Sequence, residues 1–244
     1  LYPMLRNQDW LERFEGPTVY RETRAQELTE MLWAHPDSPW QRRINMLGEA
    51  GDRDVRQAAW VRSLINTYIK ASEGRGVRGI GGLFGAPAGE DELMLPWTRE
   101  QQAAFLIYAW QRVAASISSA DESWARHLRE LEEMGDRKSS DPDPAFSGDY
   151  SLLNADQGVR GVLMITNDLC FLESDSLRLR DWGSSEVRQD SDEKEVSAQL
   201  ELLAKEPVAK LLAEIANGLV TFDWRTYGTP DLDEEARLRA AAYR

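Results

Sequence analysis

Cysteine is almost absent from this chain of 244 residues: Cys170 stands alone, which excludes an intramolecular disulfide and a cysteine-rich zinc site. Histidine is nearly as scarce. His35 precedes Pro36 and His127 follows Arg126, and neither belongs to H-E-x-x-H or another spaced ligand set. No apolar run approaches the ~18 residues of a membrane-spanning helix. No signal-peptide pattern is visible either, so the expectation is a cytoplasmic protein without membrane contact. The P-loop G-x-x-x-x-G-K-[ST] and the nucleophile elbow G-x-S-x-G are missing, and the helical segments never alternate with a period of two. Basic residues are outnumbered, 29 Lys and Arg against 42 Asp and Glu, for a net charge of −13. Acidity of that size repels nucleic acid and anionic membranes at long range. It is unevenly spread: residues 1–135 hold 16 basic and 20 acidic side chains, residues 136–244 hold 13 and 22. The first half therefore has room for a local basic patch.

What the chain does contain is ordinary for a globular protein, 42% hydrophobic and 29% charged residues, enough to bury a core. Its nine tryptophans are anchors either for that core or for an interface, and composition does not separate the two. The periodicity is helical nearly throughout. In "PTVYRETRAQELTEMLWAH" Val19, Leu28, Met31 and Leu32 share one face and Pro36 ends the helix. "DSPWQRRINMLGEAG" predicts a helix with Ser38 as N-cap, Pro39 at the first position and Gly48 or Gly51 at its close. "DRDVRQAAWVRSLINTYIKAS" predicts another, capped by Asp52. In "TREQQAAFLIYAWQRVAASI", Thr98 and Gln101 form a capping-box pattern before an all-apolar stretch, the mark of a central core helix. "DESWARHLRELEEM" predicts a more exposed helix. Pro207 should divide the amphipathic stretch 193–219, because proline lacks the amide the helix needs. "LVTFDW" allows one short strand near 219–224, and "DEEARLRAAAY" a terminal helix. The expected architecture is all-α, an irregular bundle of roughly eight helices.

Two segments interrupt it. Residues 74–89 hold seven glycines, too many for a helix at about 1 kcal/mol each relative to alanine. Their G-x-G-x-x-G at Gly74, Gly76 and Gly79 follows a helix, whereas a dinucleotide site needs that turn directly after a strand. Residues 136–150, with two prolines and no periodicity, read as a linker. They separate an N-terminal helical region, 1–135, from a C-terminal acidic helical region, 151–244. The most basic stretch carries Arg53, Arg56, Arg62, Lys70, Arg75 and Arg78, with Trp60 and Tyr68 interleaved. Mobile cations beside aromatics suit phosphate contact and base stacking, provided the rings are exposed. A solvated helix face with its aromatics turned inward fits the same residues.

The segment "NADQGVRGVLMITNDLCFLES", 154–174, concentrates the remaining chemistry. At 100° per residue Leu172, Ile165, Leu169, Val162, Thr166, Val159, Cys170 and Leu163 fill one half of a helix, the expected buried side. Asp156, Arg160, Asn167 and Asp168 fall on the other, with Met164 and Phe171 among them and Gly161 allowing close approach. Asn154 and Gln157 have capping-box spacing, and Asp156 and Arg160 the spacing of an intrahelical ion pair. "NDLCFLESD" also resembles the magnesium-binding N-D-x-x-S-x-x-x-E of class I terpene synthases, which are all-helical. Asn167 and Asp168 match that motif, while Phe171 stands in place of its serine and Asp175 in place of its glutamate. The resemblance implies a metal-dependent helical enzyme using Asn167, Asp168 and Asp175.

These observations favour a non-catalytic interaction or regulatory protein, a subunit of a larger cytoplasmic assembly, with no cofactor. Its partner is expected to be another protein or a second copy, held through Asp156, Arg160, Met164, Asn167 and Phe171. Nucleic-acid association through residues 53–78 and the magnesium-dependent enzyme are the alternatives.

Overall fold

Most of the helix-forming patterns become helices. The computed structural model describes residues 16–46, 55–70, 79–85, 94–133, 142–182 and 191–241. These contain α1 (Gly16–Ala34), α2 (Gln57–Asn66), α3 (Arg99–Ser118), α4 (Ser123–Glu133), α5 (Pro144–Ser147), α6 (Asp156–Leu172), α7 (Asp192–Leu203), α8 (Pro207–Val220) and α9 (Glu234–Ala241). Short 3-10 turns occupy Leu152–Asn154 and Leu179–Asp181, and the described residues include no strand. The molecule is all-α, as the periodicity indicates.

α3 is the axis. The Thr98 hydroxyl accepts from the Gln101 amide and the Gln101 side chain accepts from the Thr98 amide, the reciprocal cap its sequence predicts. From Gln101 to Trp110 the helix is buried on almost every side, and Val113 and Ile117 continue its buried face, between α1, α7 and α8. Its C-terminal carbonyls receive a cation. Arg129 of α4 donates to the carbonyls of Ala120, Ile117 and Ser118 and is itself held by Asp143. Packing of α3 against α7 and α8 places residues before and after the 136–150 segment in one continuous hydrophobic core. The two regions therefore lack separate cores.

Seven of the nine tryptophans are buried in that core, which identifies them as internal anchors rather than interface anchors. Trp40, Trp60 and Trp110 pack edge-on or tilted with centroids 5.0–5.7 Å apart, and Phe146 closes the cluster. Trp40 reaches it because its segment is not the helix expected from Ser38 onward. Ser38 does accept from the Trp40 amide, but Arg42 adopts φ 54°, and its amide turns back to the carbonyl of Trp33. The described part of the segment is a run of turns that inserts one tryptophan into the core. Asp52, expected to cap the next helix, lies outside the described residues.

Two other expectations concern the C-terminal third. Pro207 does divide the amphipathic stretch: α7 stops at Leu203, and Pro207 begins α8 where no amide is required. The strand expected at 219–224 is replaced by the end of α8 and a turn. Only isolated bonds follow, Leu152 donating to Trp224 and Thr226 to Tyr150.

Candidate functional site

α6 is held from two directions. At its first turn Gly158 presses onto the 3-10 turn, where a Cβ would collide with the carbonyl of Leu152. The capping box expected from Asn154 and Gln157 does not form. Ala155 occupies the N-cap position, and Asn154 instead joins Ser147 to Arg43. Asp156 and Arg160 are both exposed and make no ion pair with each other.

Further along, three successive side chains hold the chain on either side of residues 71–78: Thr166 and Asp168 meet Tyr68 and Lys70 before them, and Asn167 meets Gly81 and Leu83 within the glycine-rich segment. Thr166 accepts a 2.8 Å bond from the Tyr68 hydroxyl. Asn167, fully buried, accepts from the Leu83 amide and donates to the Gly81 carbonyl, both at 3.0 Å, and reaches the Asp168 carboxylate at 2.9 Å. Asp168 pairs with Lys70 at 3.4 Å. The primary amide thus completes the peptide groups of a loop as a neighbouring strand would. On the loop's other side Gly82 donates to Lys70 and Phe84 to Tyr68, while Leu95 donates to Leu83. Gly82 and Gly85 lie so close to this backbone that a Cβ on either would overlap the carbonyls of Tyr68 and Lys70. The described part of the glycine-rich segment, 79–85, is therefore packed between two neighbours.

This changes the orientation expected for α6. Asn167, placed on the partner-facing arc by sequence, is inside the protein. Ile165, Leu169 and Leu172, placed on the buried arc, are 37%, 41% and 57% exposed, and Met164 beside them is 49% exposed. The helix is turned by roughly 60° from the arc that apolar content alone selects, at 100° per residue. Asn167 enters the core because the loop satisfies its hydrogen bonds, beside Thr166, which Tyr68 satisfies, and Val159, Val162, Leu163 and Cys170, buried as expected. Phe171 is partly buried and packs against the core edge. Gly161 faces open space.

The outward face thus gathers Gly161, Met164, Ile165, Leu169 and Leu172, with Arg160 at its N-terminal end. Four of the six large hydrophobic side chains exposed among the described residues are on this one helix. Sequence reading found Met164 and Arg160 but missed Ile165, Leu169 and Leu172, because their apolar character reads as core. Their i, i+4, i+7 spacing marks an apolar stripe but does not say whether core or solvent meets it.

The chemistry suggested for this region does not assemble. The Asn167 carbonyl oxygen, needed as a metal ligand by the terpene-synthase resemblance, is buried and already bonded to Leu83. Burial pushes the Cys170 thiol up to about 12, which leaves it protonated and unreactive near neutral pH. In the basic stretch Arg56 and Arg62 are exposed and Lys70 is partly covered beside Asp168, but Trp60 and Tyr68 are fully buried and cannot stack on bases. Arg53, Arg75 and Arg78 lie outside the described residues.

A second feature was not legible in sequence. A cleft of about 280 Å³ separates α1 from the starts of α3 and α7, lined by Glu27, Glu30, His35, Arg99, Asp192 and Glu193. Arg99 meets Glu100 at 2.8 Å, Asp192 at 3.0 Å and Glu27 at 3.5 Å, so most of the charge is internally paired. Burial pushes the Glu27 carboxyl upward against the pull of Arg24 and Arg99. His35 Nδ1 accepts from the Asp37 amide, which leaves Nε2–H to donate to the Glu193 carbonyl and join α1 to α7.

No family model matches the chain. No solved structure matches it. The chain is similar to the protein translocase subunit SecA of Porphyromonas gingivalis, 26% identical over 118 residues, 48% of this chain and 10% of that protein. It therefore spans about a tenth of the length of the curated relative it matches.

Proposed function

We propose that this chain is a non-catalytic helical interaction or regulatory protein, a subunit of a larger cytoplasmic assembly that associates through the outward face of α6. The observation that carries the reading is the collection of Met164, Ile165, Leu169 and Leu172 on one exposed helix face. Isolated exposed hydrophobics are common on soluble proteins, but a contiguous patch is a feature of association surfaces. Burying such side chains against a partner contributes roughly 25 cal/mol per Å² of apolar surface removed from water. The partial similarity to SecA, itself a subunit of a protein translocase, is in keeping with a role inside an assembly. Among the described residues no helix is long and apolar enough to cross a membrane.

The test is capture of partners from the native source by the tagged chain and by its Ile165→Glu/Leu169→Glu variant. Loss of specifically retained protein, with an unchanged melting temperature, is the expected result. Equal retention by both proteins contradicts the reading.

Nucleic-acid association is the second reading, supported by the exposure of Arg56 and Arg62. With Trp60 and Tyr68 buried, such binding would rest on phosphate contacts alone. It then predicts retention on heparin that falls steeply with salt and disappears on charge reversal at both arginines.

A further inference from the structure

We draw no further inference here: the strongest candidate, the cleft between α1 and the starts of α3 and α7, is lined by acidic side chains of which Glu27 and Asp192 already meet Arg99, and nothing among the described residues there points to a ligand.

Discussion

The inward face of α6 sets Val159, Val162, Leu163 and Cys170 against the core and threads Asn167 into the backbone of the glycine-rich segment. The outward face of the same helix presents Ile165, Leu169 and Leu172 to solvent beside Gly161. Both faces are rich in apolar groups, so hydrophobicity alone does not explain which one is buried. The difference lies in the polar partners. Thr166 and Asn167 would be costly to bury unpaired, but Tyr68, Gly81 and Leu83 complete their hydrogen bonds. The loop therefore rotates the helix, and the apolar stripe left outside becomes available to another molecule.

Breaking the inward face should have the largest effects. Gly158→Ala introduces a methyl group into the Leu152 carbonyl and should cost about 3–4 kcal/mol in urea unfolding, since backbone, rather than a flexible side chain, must move. Asn167→Ala leaves the Leu83 amide and the Gly81 carbonyl without their side-chain partner in a buried setting. A loss of about 2–3 kcal/mol is expected by the same measurement, with increased proteolytic cleavage near the glycine-rich segment.

Alkaline pH weakens the same face more gradually. Burial raises the Cys170 thiol from 9.0 to about 12 and pushes the Tyr68 phenol up as well. The folded chain therefore holds protons that the unfolded chain releases above about pH 9. The stability these groups contribute is complete below that pH and is lost as pH rises toward about 12. The urea midpoint should fall across this window, and less steeply in Cys170→Ala once its own lower stability at neutral pH is subtracted. The smallest effects belong to the outward face. Ile165→Glu or Leu169→Glu in dilute protein should change stability by no more than about 0.5 kcal/mol, because each side chain already meets water.

The sequence displayed the fold class through its 3.6-residue periodicity, the capping box of α3 through Thr98 and Gln101, and the break at Pro207 through the missing amide. It concealed what depends on distant residues. Trp40 enters the core from a turn because Arg42 closes onto Trp33, a tertiary bond that overrides a plausible helix cap. The candidate site was half legible. Arg160, Met164 and Gly161 were visible as members of a second face. Asn167 was misplaced because its partners at Gly81 and Leu83 are more than eighty positions away. Once that amide is inside, Ile165, Leu169 and Leu172 must turn outward, a consequence no local pattern contains.

The central claim is that another molecule covers the outward face of α6. The chain's single cysteine is buried with its thiol at about 12, so Ile165→Cys would introduce one reactive thiol against an inert background. Its alkylation rate, compared between dilute purified protein and the native extract, reads that coverage directly. The account predicts rapid labelling in the dilute protein and several-fold slower labelling in the extract. Equal rates in both would contradict it.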